Sequence, residues 1–342
     1  MGVDPAILDP VPGREAILGV RKGSYCSGRN AGLKCRQVSD AMKPLLTYLA
    51  PLRKLLRRTL PYWAVAMLKS AWAEYSFRSF NARVVRHRYG AYDLQVELID
   101  FDGASWLDKD YDESAFAEIA MLKRHKLAPG AKVFNAGANQ CLQAMMMARE
   151  AKPNGFVWAI EPNPHNVQAG RRNCELNDID NVKLIEAAAS STRGQLWFNR
   201  AMNGQVAVSQ HEAGAHLVEV VTIDDLSATF GPPDVLYIDV EGFECEVLEG
   251  ARATLGSHAP DCFVEVHLQT GLERYGGSIG KVLAFFPSSR YDLYYSSGDD
   301  GVFRQVATNT VLPQKRFYLV ALARSHARSL YSTEDMVLSS VG

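Results

Sequence analysis

The chain has 342 residues, with 37 Lys and Arg against 38 Asp and Glu and a net charge of -1, so no overall field draws it to nucleic acid. At 47% hydrophobic and 22% charged it has the composition of a globular protein of one large or two small domains, not of a fibrous or disordered chain. Cys26, Cys35, Cys141, Cys174, Cys245 and Cys262 form no CxxC pair, which argues against a zinc ribbon or disulfide framework; with no apolar run of spanning length and no signal-peptide core, a reducing, cytoplasmic location is expected.

Residues 1–42 mix Gly, Pro, Ser and basic residues without a period and read as a disordered leader, with Met42 an alternative start. Residues 43–90 read as a basic helical extension. Lys43, Arg53, Lys54, Arg57, Arg58 and Lys69 alternate there with leucines and aromatics, no acid intervenes up to Lys69, and Pro51 and Pro61 divide the run. Two readings stand for 43–72: a helical cap or homo-oligomer contact with a solvated basic face, or an amphipathic segment on an anionic membrane surface. The prolines, which interrupt any amphipathic stripe, favour the first.

Tyr92–Asp100 alternates as a strand, Asp102-Gly103 reads as a turn into a second short strand, and Tyr111–Leu127 is helical until Pro129-Gly130 ends it. The stretch KVFNAGAN, 132–139, is the centre of the pattern. The apolar Val133-Phe134 runs into Asn135-Ala136-Gly137-Ala138-Asn139, a helix spans Cys141 to Glu150, and a second apolar run, Phe156–Ile160, stops on Glu161. Strand, glycine turn, helix, strand and acid is the layout of a nucleotide-binding βαβ unit, with Gly137 for the sharp turn and Glu161 to accept ribose hydroxyls.

A helix opened by Pro164 runs to about Asn177, Val182–Ala187 is a strand, and the β-rich stretch 190–222 reads as inserted hairpins. Asp224 or Asp225 is expected to cap the next helix. Val235–Ile238 ends on Asp239, Glu241-Gly242 lead into a helix through Glu244–Leu255, Cys262–Val266 ends on His267, and Tyr291–Tyr295 and Phe317–Ala323 close the sheet. Strands alternating with helices make an α/β fold, a mostly parallel sheet with helices on both faces.

Ligands of such sheets bind at the carboxyl ends of the strands, where this chain places Asn135, Asn139, Glu161, Asp239, Glu241, Glu265 and His267. Singly, each has a structural reading: Asp239 and Glu241 as helix caps or loop residues, His267 as a surface histidine. Their convergence from four segments points to a site. The stretch from about Val133 to His267 resembles the FkbM family of S-adenosylmethionine-dependent methyltransferases. The likeness rests on Asn135-Ala136-Gly137-Ala138-Asn139-Gln140-Cys141 after Pro129-Gly130, on Glu161-Pro162-Asn163-Pro164, and on Arg172-Asn173-Cys174-Glu175-Leu176-Asn177. It continues in Ile223–Leu226, in Tyr237-Ile238-Asp239-Val240-Glu241-Gly242-Phe243-Glu244, and in Glu265-Val266-His267.

The resemblance implies a class I methyltransferase (Rossmann-like) domain over 91–325, with residues 326–342 as a tail. It implies S-adenosyl-L-methionine held by Asn135, Gly137, Ala138, Asn139, Glu161, Asn163, Ala188 and Asp239, and methyl transfer to a hydroxyl of a sugar or other small-molecule acceptor. His267 is then the expected base, because an imidazole titrates near neutral pH. Asp239 and Glu241 would orient the acceptor or hold a divalent cation that lowers its pKa. Asn135 stands where the family has an aspartate, Cys141 where it has a glycine and Tyr237 where it has a lysine. These departures leave a catalytically impaired cofactor-binding or scaffold protein as the alternative. A nicotinamide-dependent dehydrogenase is disfavoured, because Gly137 lacks the partner glycines of G-x-G-x-x-G.

Overall fold

The computed structural model describes residues 79–324, apart from 200–203, 208, 209, 211, 213, 270 and 299. The leader, the basic segment 43–72, Cys26, Cys35 and the tail lie outside the described residues. The first strand, β1 (Arg83–Tyr89), pairs antiparallel with β2 (Tyr92–Leu98) across Gly90. Residues 83–89 therefore belong to a hairpin and not to the helical extension assigned to 43–90. Their β-branched Val84-Val85 gain a partner only when β2 lies alongside, which seven residues cannot signal alone. The expected turn at Asp102-Gly103 is instead the first turn of helix α1 (Phe101–Leu107), because Asp100 Oδ1 accepts from Gly103 N at 2.6 Å and caps it. The helix expected over Tyr111–Leu127 is a 3-10 turn, Glu113–Phe116, followed by α2 (Ala117–Lys123).

The central unit follows as β3 (Lys132–Ala136), α3 (Leu142–Ala151), β4 (Phe156–Ile160), α4 (Pro164–Leu176) and β5 (Val182–Ile185). The inserted segment holds β6 (Ala188–Ala189), β7 (Gly194–Asn199), β8 (Gln205–Val206) and β9 (Ala215–Val221), which form a separate sheet in the order β6-β9-β7-β8. Next come α5 (Ile223–Phe230), β10 (Val235–Ile238), α6 (Glu244–Glu249), α7 (Arg252–His258) and β11 (Asp261–Val266). The chain closes with α8 (Ile279–Ala284), β12 (Tyr291–Ser296), β13 (Arg304–Gln305) and β14 (Phe317–Ala323). The main sheet has the order β13-β12-β14-β11-β10-β3-β4-β5, parallel from β5 to β11, with β14 antiparallel to both β11 and β12. This is the α/β, class I methyltransferase-like fold that the sequence implied.

The strand period sorts side chains into two cores. Phe134, Ala136, Leu236 and Ile238 pack on one face, and Val133, Val235, Tyr237 and Phe263 on the other. Burial on both faces explains why these strands read as continuous apolar runs, each large side chain contributing about 1.5–3 kcal/mol. The hairpin is fastened to α4 by two asparagines. Asn173 Oδ1 accepts from Glu97 N at 2.7 Å and Asn177 Oδ1 from Gln95 N at 2.9 Å, which satisfies backbone donors along the free side of β2.

Two local expectations change. Thr222, extended at φ -105° and ψ 153°, caps α5 by accepting from Asp225 N at 3.0 Å. Asp224 sits inside that helix and turns to α7, accepting from Ala253 N at 3.0 Å and Thr254 N at 2.8 Å. The single helix expected from Glu244 to Leu255 is divided into α6 and α7 at Gly250-Ala251. Among the described residues no helix is long and apolar enough to cross a membrane.

Candidate active site

β3 leads to β4 on one side, while β10 lies on its other side with Ala136 opposite Ile238. The crevice outside the strand ends opens at this reversal. Gly137, at φ +82°, turns the chain there, and the N–H groups of Gly137 and Ala138 donate to the Ile160 carbonyl at 2.9 and 3.0 Å. A Cβ on Gly137 would stand 1.7 Å from the Asp239 carbonyl oxygen, so the turn is pressed between β4 and β10 with no room for a side chain.

Glu161 follows β4. Its Oε2 accepts from Asn139 N at 2.9 Å, and its Oε1 from Asn163 N at 2.9 Å and Asn166 Nδ2 at 3.3 Å. Burial pushes this carboxyl up to about 7, against the pull of those donors. Asn139 is thus fixed by its backbone, while its Oδ1 accepts from Gln140 N at 2.8 Å.

The second half of the site lies beyond β10 and β11. Gly242, at φ +108°, touches Gly271: a Cβ there would lie 2.4 Å from the Gly271 carbonyl carbon. The two loops therefore close on each other and bring Asp239, Glu241, Glu244, Glu265 and His267 together. His267 is 2% exposed, and its Nδ1 meets Glu244 Oε1 at 2.8 Å and the Glu265 carbonyl at 3.2 Å. Its Nε2 faces Asp239 Oδ1 at 3.8 Å, Glu241 Oε2 at 3.6 Å and Glu265 Oε1 at 3.6 Å. Burial alone would lower the imidazole, but Glu244 first, then Asp239 and Glu241, raise it to about 9. Asp239 is pushed well above the ordinary carboxylate range by desolvation and by the charge of Glu265, even with 28% of its side chain exposed.

The neighbouring carboxylates favour the protonated imidazole over the neutral form expected of a base. The carboxylates that line the cleft are Asp239 and Glu241. The sign of the linkage is testable. A raised histidine contributes stability that is complete below about pH 6.5 and is lost as pH rises through about 9. Urea unfolding of chelator-treated protein should show that decline, and His267→Gln should flatten it. A wild-type profile identical to the variant's over that window would reject the assignment.

Of the expected residues, Gly137, Asn139, Glu161, Ala188, Asp239 and Glu241 line one cleft. Asn135, Ala138, Asn163 and His267 do not line it. Asn135 is 1% exposed within the sheet, Ala138 is buried, and Asn163 caps α4 by accepting from His165 N at 3.1 Å. Buried Cys141 points toward Gly170, where an added Cβ would meet its Sγ at 2.7 Å. Asn135 and Cys141, where the sequence departs from the family motif, thus lie behind the cleft wall and not on it. Tyr237 donates to buried Glu118 Oε1 at 3.3 Å, away from the cleft.

Sequence reasoning missed Phe198, Gly204 and Val206, by which the inserted sheet closes one side of the cleft, and Phe243 on the other. It also missed Glu244, fully buried, whose Oε1 accepts from Gly242 N at 2.8 Å while holding His267. The Glu-Gly-Phe-Glu spacing was in view. Only the partner at 267 gives its last acid a purpose.

Residues 135–295 match the methyltransferase FkbM domain family. No curated protein matches the chain. Among solved structures, a methyltransferase FkbM from Methylobacillus flagellatus is 18% identical with a TM-score of 0.38, over 56% of this chain and 43% of that one. The chain therefore spans less than half the length of that relative. A precorrin-6y C5,15-methyltransferase from Geobacter metallireducens is 17% identical with a TM-score of 0.35, over 62% of this chain and 86% of that one. A SAM-dependent O-methyltransferase from Thermotoga maritima is 12% identical with a TM-score of 0.34, over 70% and 77%.

Proposed function

We propose, since residues 135–295 match the methyltransferase FkbM domain family, that the protein transfers a methyl group from S-adenosylmethionine to a hydroxyl of a sugar or other small-molecule acceptor. The observation that carries this reading is the meeting, on one cleft, of the Gly137 turn, Glu161 after β4, and Asp239 with Glu241 after β10. The groups suit that cofactor: a glycine turn that leaves the backbone bare, and a buried carboxylate at the strand end for a ribose diol.

When bound, S-adenosylmethionine supplies an electrophilic methyl on a sulfonium. Glu161 would accept the ribose hydroxyls, and its three N–H donors fix the carboxylate so that little ordering is left for binding. Phe198, Val206 and Phe243 exclude water from the walls. Asp239 and Glu241 would face the acceptor, and a carboxylate of this pair would take its single proton, since a hydroxyl ionises too weakly to react unaided.

Calorimetry with S-adenosylmethionine tests the reading. Glu161→Ala should cost about 1.5–3 kcal/mol of binding. Because burial holds this carboxyl up to about 7, wild-type affinity should also rise between about pH 6 and about pH 8, as the stronger acceptor forms. A folded Glu161→Ala variant with unchanged affinity, or no binding by wild-type protein, would reject it.

A further inference from the structure

We propose that Asp239, Glu265 and His267 bind a divalent transition-metal cation of the Mn2+ type where Asp239 lines the cleft. This rests on the methyltransferase reading above and adds a metal to it. One ligand atom from each of the three residues lies within 4.8 Å of the others. From His267 Nε2, Asp239 Oδ1 is 3.8 Å away and Glu265 Oε1 3.6 Å. Donors sharing a cation at about 2.1 Å stand about 3–3.5 Å apart, so small side-chain shifts close the set.

The imidazole is already aimed, and the cation would have to displace the proton that Nε2 carries at neutral pH. Glu244, fully buried, holds Nδ1 at 2.8 Å, which turns Nε2 toward the carboxylates. A carboxylate on the far nitrogen is the support that metal-bound histidines use. Glu265 is 8% exposed, and its Oε1, turned into the cluster, has the Arg316 guanidinium as its charge partner. The guanidinium of Arg316 lies 3.0 Å from that oxygen as an ion pair, on a side chain 56% exposed that can swing to solvent and yield the oxygen to a metal. One imidazole with two carboxylates suits Mn2+, Fe2+ or Zn2+ better than Ca2+ or Mg2+, which prefer all-oxygen sets. Glu241 stays outside the set, with Oε2 3.6 Å from Nε2, and takes the proton of a hydroxyl that the cation has acidified.

The test is calorimetry of the full chain, stripped by chelator, with Mn2+ alone and then with S-adenosylmethionine. Wild-type protein should bind one Mn2+ saturably. Glu265→Gln should lose that binding, Glu244→Gln should weaken it about 10–100-fold, and Arg316→Gln should keep or tighten it. Circular dichroism establishes that each variant is folded. The proposal is overturned if wild-type protein shows no saturable Mn2+ binding or if folded Glu265→Gln binds as well as wild type. It is also overturned if only Arg316→Gln binds, since the guanidinium is then the resident counter-ion. Binding of S-adenosylmethionine without Mn2+ ends the metal site and leaves the methyltransferase reading standing. Binding of Mn2+ without S-adenosylmethionine does the reverse.

Discussion

Gly137→Ala should abolish cofactor binding and destabilise the protein by about 3 kcal/mol or more. Two costs combine. At φ +82° an L-residue pays about 1–2 kcal/mol for the left-handed backbone. The added methyl would also stand 1.7 Å from the Asp239 carbonyl oxygen, about half a normal contact distance. Overpacking of this kind costs about 1–3 kcal/mol when the surroundings can shift. Here the least costly shift moves the turn away from β10, which breaks the Gly137 and Ala138 bonds to Ile160 and releases Asn139 from Glu161. Gly130→Ala is the control. It shares the positive φ, at +90°, but nothing lies within 4 Å of its Cβ, so it should cost only about 1 kcal/mol and leave binding intact. Urea denaturation with calorimetry measures both variants. A Gly137→Ala protein that binds S-adenosylmethionine like wild type would show that the turn is not part of the site.

Asp239→Asn should lower single-turnover methyl transfer by about 10²–10⁴-fold, with Glu241→Gln producing a loss in the same range. Helix capping does not account for these acids. The residue before α6 is Phe243, with no side-chain cap, and Glu244 rather than Asp239 or Glu241 receives the Gly242 N–H. Both carboxylates instead line the cleft. Cofactor affinity in Glu241→Gln should be close to wild type, which separates loss of the proton acceptor from loss of binding. The rate is to be measured per folded molecule, with a polyhydroxylated acceptor found by screening. A normal rate in both folded variants would exclude these carboxylates from the proton transfer.

The sequence alone carried the βαβ unit, the glycine turn and the acids at the ends of β4 and β10. Those signals are local: strand periodicity fixes which residue ends each strand, and a parallel sheet fixes that its strand ends share a rim. His267 was placed on that rim by the same argument. Its charge state was not, because that depends on Glu244, Asp239 and Glu241 around a side chain only 2% exposed, and residue type reports none of that. Asn135 and Asn163 matched a motif and then proved to face the sheet interior and a helix end, since one position along a strand or turn reverses where a side chain points. Residues 83–89 became a strand through pairing with β2, and Asn173 and Asn177 earned their place by fastening β2 to α4. Each of these outcomes depends on groups far apart in the chain meeting in space, which only the tertiary structure decides.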